Sequence, residues 1–125
     1  MTRRSILATA AATLVMLVGV GFVVFQEHAR NDLTVVNQSG VAIRSLEIAL
    51  PWETLHFEQV ANGESATKSF TIKYDAHFEV NGQLVDGTAV RASDGYITNG
   101  QYGEAVRVEV GRNGIVKLTQ GQRAT

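Results

Sequence analysis

Two short repeats place the most chemistry-capable residues of this chain close together. His56-Phe57-Glu58 and His77-Phe78-Glu79 each run within a few residues into a valine and an Asn-Gly pair. On a strand the phenylalanine turns to one face, and the flanking histidine and glutamate share the other. If the two strands are neighbours, His56, Glu58, His77 and Glu79 bring two imidazoles and two carboxylates together, a donor set that Zn²⁺ or Cu²⁺ accepts. The plainer expectation is an exposed strand face on which histidine and glutamate pair with each other, with no cofactor. The chain has no cysteine, and its third histidine, His28, follows the apolar N-terminal run.

A second kind of chemistry is adhesive. From Asp94 to Glu104 the chain is rich in Gly, Asn and Tyr. Tyr96, Asn99 and Tyr102 on a glycine-rich loop offer rigid, amphipathic contact area suited to gripping a peptide or a sugar. Leu50-Pro51-Trp52-Glu53 holds the only proline and the only tryptophan. Trp52 is a candidate anchor for a partner or for lipid headgroups, its alternative being a cap on the core. Catalysis has no comparable signature: no serine sits in a strand-to-helix elbow, and no Gly-rich loop opens a helix. The expectation is a binding protein and not an enzyme. An exported hydrolase with unidentified residues is the remote alternative.

The elements that must position these residues are strands. Leu46, Ile48 and Leu50 alternate with Glu47 and Ala49; Phe70, Ile72 and Tyr74 with Thr71 and Lys73; Val106, Val108 and Val110 with Arg107 and Glu109. Period-two alternation gives each strand one wet and one dry face, a pattern expected of antiparallel sheets. Turns are expected at Asn62-Gly63, Asn81-Gly82, Asp86-Gly87, Asp94-Gly95, Asn99-Gly100 and Asn113-Gly114, dipeptides that tolerate positive φ. Strands are expected at 33–37, 41–50, 54–60, 66–74, 76–80, 83–92 with a break at Asp86-Gly87, 96–98, 104–110 and 114–119. Strands of this kind pack most economically as two sheets, an antiparallel β-sandwich of immunoglobulin-like or related architecture, with a small β-barrel as the alternative.

Composition limits the setting. Residues 33–119 suffice for one core, with a polar tail at 120–125. After Arg30 there are eight basic residues against eleven acidic ones, which leaves no electrostatic footprint for nucleic acid. Without cysteine the domain must be held by packing alone, and thiolate metal sites are excluded.

Location is the clearest message of the sequence. From Ser5 to Phe25 there is no charge; Arg3 and Arg4 precede the run, and Gln26, Glu27 and His28 follow it. A helix of that length covers about 30 Å, the hydrocarbon thickness of a bilayer. Residues 5–25 therefore read as a transmembrane anchor or signal-anchor, with a cytoplasmic tip at 1–4 and a linker at 26–32. The positive-inside rule exports the rest. A cleaved signal peptide is the alternative, but the apolar run is long and Glu27-His28-Ala29 is a poor cleavage site. Thr2-Arg3-Arg4-Ser5-Ile6-Leu7 also resembles the twin-arginine export motif. The general plan resembles that of small single-pass envelope proteins with an exported β domain. An exported domain without cysteine points to the bacterial inner membrane, with the domain in the periplasm or outside, and the short tether to an envelope protein as partner.

Overall fold

The structure, a computed structural model, describes residues 30–98 and 103–122. The expected anchor at 5–25 and the candidate binding residues Asn99 and Tyr102 lie outside the described residues. Among the described residues no helix is long and apolar enough to cross a membrane.

Eight strands follow in chain order: β1 (Asn31–Asn37), β2 (Ile43–Leu50), β3 (Glu53–Val60), β4 (Ser65–Phe70), β5 (Ala76–Leu84), β6 (Ala89–Ile97), β7 (Glu104–Val110) and β8 (Val116–Gln122). A single 3₁₀ turn, Arg112–Gly114, joins the last two. The strands form two four-stranded sheets, ordered β4-β1-β7-β8 and β3-β2-β5-β6. Their apolar faces meet in one core, with Leu33, Val35, Val106 and Val108 from the first sheet and Leu46, Ile48, Phe78 and Val80 from the second. Phe70 and Phe78 bridge the sheets edge to face, their centroids 5.7 Å apart. The architecture is a β-sandwich.

One sheet is mixed, which corrects the wholly antiparallel expectation. β1 and β7 run parallel, with Leu33 beside Val106 and Val35 beside Val108. Alternation along these strands reports that one face is wet, whatever the direction of the neighbouring strand. β1 is central, holding β4 on one side and β7 on the other.

The turn dipeptides divide into two groups. Asn62-Gly63, Asp86-Gly87 and Asn113-Gly114 stand at chain reversals, the first carrying the chain from one sheet to the other. Asn81-Gly82 lies inside β5 and Asp94-Gly95 inside β6. At Gly82 a Cβ would come within 2.3 Å of the Ser45 carbonyl oxygen, so the missing side chain admits the backbone of β2. At Gly95 φ is +77°, and the β5–β6 register slips between Ala76 and Phe78, which marks a β-bulge. The expected strands 83–92 and 96–98 accordingly merge and divide into the ends of β5 and the whole of β6. The expected strand 66–74 stops at Phe70, because the chain must cross to the other sheet before Ala76.

Buried asparagines fasten both ends of β1. Asn37 donates through Nδ2 to the Val41 and Val60 carbonyls, at 2.8 Å each. Its Oδ1 accepts from the Ser39 backbone N–H at 3.0 Å and the Ser39 hydroxyl at 2.7 Å. At the other end, Asn31 accepts from the Glu104 N–H at 3.0 Å. The end of the sandwich at which β1 begins also gathers Phe70 and Glu104 from its own sheet and, joined to them by the Trp52–Thr71 hydrogen bond, the β2–β3 turn, the start of β5 and the end of β6 from the other.

Candidate functional site

Three aromatic side chains collect at that pole. Pro51 and Trp52 form the tight β2–β3 connection, with Leu50 opposite Glu53. The Trp52 indole lies edge to face against Tyr74, centroids 4.7 Å apart at 72°. Its Nε1–H donates to the Thr71 carbonyl at 2.8 Å. The neighbouring Glu53 carboxylate accepts from the Thr71 N–H at 2.8 Å and from the Thr71 hydroxyl at 3.1 Å. Trp52 and Glu53 thus fix residues 71–75, the crossover that returns the chain from β4 to β5.

Tyr96 completes the group from β6. It emerges just after the Gly95 bulge, where its backbone is clasped by one side-chain amide: Gln120 Oε1 accepts from the Tyr96 N–H, and Gln120 Nε2 donates to its carbonyl, both at 2.8 Å. This bond pair joins the edge strands β6 and β8 of opposite sheets. The Tyr96 hydroxyl donates to Asp75 Oδ2 at 3.0 Å. That hydrogen bond, and then the charge of Asp75, raise the Tyr96 phenol above its ordinary pKa, because ionisation would set two negative groups side by side. Tyr74 and Tyr96 remain 50% and 60% exposed. Trp52, by contrast, is partly buried and packs against the core.

The second candidate cluster lies on the outer face of the β3-β2-β5-β6 sheet. His56 faces Glu47 across the β2–β3 ladder, Nδ1 to Oε1 3.4 Å. His77 meets Glu79 on its own strand, Nε2 to Oε1 2.7 Å. Glu79 also accepts from the Ser93 hydroxyl at 2.9 Å. The Ser93 bond first, then His77, lower the Glu79 pKa.

The structure does not bring the two His-Phe-Glu repeats together. β2 lies between β3 and β5, which sets the repeats roughly 10 Å apart across the sheet. Glu47 pairs with His56 on one side and Asn81 on the other, so His77 is displaced a further four residues, about 13 Å, along the strand. Each histidine takes its own carboxylate instead, His56 with Glu47 and His77 with Glu79. Among the described residues no group of three or more potential ligands surrounds one point. The trio His77, Glu79 and Ser93 has its carboxylate in the middle, so the serine proton is directed to Glu79 and not to the imidazole, unlike a nucleophilic triad.

Sequence reasoning singled out Trp52 and Tyr96 and passed over Tyr74, Asp75 and Thr71, which the structure places beside them. A signal was present. Expected strands at 66–74 and 76–80 left one residue between them, too few to change sheets. One strand had to end early, releasing Thr71 to Asp75 to the pole.

Fold and pole together describe a small β-sandwich with an aromatic cap where its first strand enters. No family model matches the chain, and no curated protein does. Among solved structures, an NMR structure of a protein from Eubacterium rectale is similar, with a TM-score of 0.56 at 14% identity over 75% of this chain and 90% of that one. At that identity the likeness speaks for the fold alone.

Proposed function

We propose that the protein is a membrane-anchored, extracytoplasmic binding subunit, an accessory or assembly component of a bacterial cell-envelope complex. The observation that carries this reading is the place where the chain enters the sandwich. Asn31 opens a central strand at the aromatic pole, only a few residues after the apolar run ends at Phe25. A connector of residues 26–30 reaches at most about 20 Å, so the domain is held beside the bilayer. Such tethering raises the effective concentration of the domain for membrane-bound partners. The rigid aromatic pole and the hydrogen-bonded outer sheet face suit recognition.

Chemical crosslinking in native membranes, followed by isolation in mild detergent, tests it. The full-length chain is expected to resist alkaline extraction and to bring a stoichiometric envelope protein with it, and a chain of residues 31–125 is expected to lose both properties. A full-length protein released by alkaline washing overturns the anchor. One that stays in the membrane but isolates alone overturns the subunit role.

A further inference from the structure

We infer that the pole formed by Trp52, Tyr74 and Tyr96 seats on the lipid headgroups of the membrane that holds the N-terminal segment. The inference rests on the anchoring part of the proposal above and adds an orientation and a lipid-contacting site. Three observations lead to it. The first is position: the three aromatics share the pole where Asn31 begins β1, the end that the short connector holds nearest the bilayer.

The second is how their polar atoms are used. The indole N–H is bonded to the Thr71 carbonyl, and the Tyr96 hydroxyl to Asp75. Those two handles are turned back onto the crossover, while Tyr96 and Tyr74 stay 60% and 50% exposed beside the partly buried Trp52. Tryptophan and tyrosine with one apolar and one polar end are the side chains that settle at the membrane–water boundary.

The third is contrast between the two ends of the sandwich. Among the described residues, the most exposed large apolar side chains are Tyr74, Tyr96, Val85 and Ile115. Both tyrosines are at the entry pole. Val85 and Ile115, 46% and 69% exposed, lie in the β5–β6 and β7–β8 connections at the opposite end. Arg30 and Lys73 are outnumbered by Asp32, Glu53, Asp75 and Glu104, so charge does not draw this pole to anionic lipid, and ring contact must select the surface.

Trp52 is the only tryptophan, which makes the native protein its own probe. Full-length protein is reconstituted into phosphatidylcholine vesicles containing some phosphatidylglycerol, with or without lipid carrying a nitroxide on the headgroup, and is recovered by flotation. The expected result is loss of Trp52 emission with the nitroxide lipid. The Trp52→Phe chain bearing Ile115→Trp, which reports from the far pole, is expected to keep its emission. Val85→Trp in the same background serves if that chain does not fold. Replacing both Tyr74 and Tyr96 by serine is expected to reduce the quenching of Trp52.

Floating protein with unquenched Trp52, or with both poles quenched alike, overturns the inference while leaving the anchor intact. Unquenched Trp52 would leave the pole open to a protein partner. Protein that does not float removes the anchor itself, and the inference with it.

Discussion

The Tyr96 phenol and the Asp75 carboxylate, 3.0 Å apart, make the pole sensitive to alkali. The phenol is raised above its ordinary value of 10.0, so the folded state holds its proton more tightly than the unfolded chain does. Its contribution to stability is complete below the unfolded value and is lost as pH rises through the raised one. In an ultraviolet titration Tyr96 is expected to ionise above the ordinary range, and Asp75→Asn is expected to bring it back down. A normal titration in the parent chain would show that the bond does not persist in solution. Glu79 behaves in the opposite sense. Ser93 and His77 hold it below 4.5, so its contribution is present above the unfolded value and disappears as pH falls through the depressed one. Carboxyl-carbon NMR of Ser93→Ala is expected to show Glu79 moving up toward 4.5, and no movement would assign the shift elsewhere. The His77–Glu79 pairing was legible from the spacing of two residues on one strand face. The part played by Ser93 was not, because it comes from a neighbouring strand whose register no local pattern reveals.

Among the elements, the β1–β2 connection depends on a buried side chain that sequence reading passed over. Asn37 ends β1, is fully buried, and satisfies the carbonyls of Val41 and Val60 while holding Ser39. Asn37→Ala removes the side-chain donor from the Val60 carbonyl and leaves Val41 with the Ser39 hydroxyl alone, and is expected to cost about 1–3 kcal/mol, read as a lower denaturation midpoint at unchanged slope. A loss under about 0.5 kcal/mol would mean that water replaces the amide. Polar residues at strand ends read as turn formers, so a buried asparagine looks like any other. The turn dipeptides show the same limit. Asn62-Gly63 and Asp86-Gly87 do reverse the chain, whereas Gly82 serves a close backbone approach and Gly95 a bulge. Absence of a Cβ is what all these sites require, and only pairing across the sheet distinguishes them. Alternation, being local, located most strands correctly.

At the scale of the molecule, strand order was the part that no local signal could supply. β1 pairs with β4 and, in parallel, with β7, which begins more than seventy residues later in the chain. The consequence is that the first described strand of the chain lies in the middle of a sheet. Among the described residues every apolar core residue lies at or after Leu33. A chain of residues 30–125 is therefore expected to fold without detergent and to melt cooperatively, as circular dichroism would show. A chain beginning at Gly40 lacks Leu33 and Val35 from the core and both ladders that hold β4 and β7. Burying two such side chains is worth about 3–6 kcal/mol, comparable to the whole stability of a domain this small. That shorter chain is expected to be unfolded or aggregated, since β4 would lose the one ladder partner it has among the described residues. If it folded with an unchanged melting transition, β1 would be a removable arm of the domain. If it does not, β1 belongs to the core, and local fraying of β1 cannot occur without loss of the fold; under the proposed anchoring, the pole then could not leave the bilayer surface by that route.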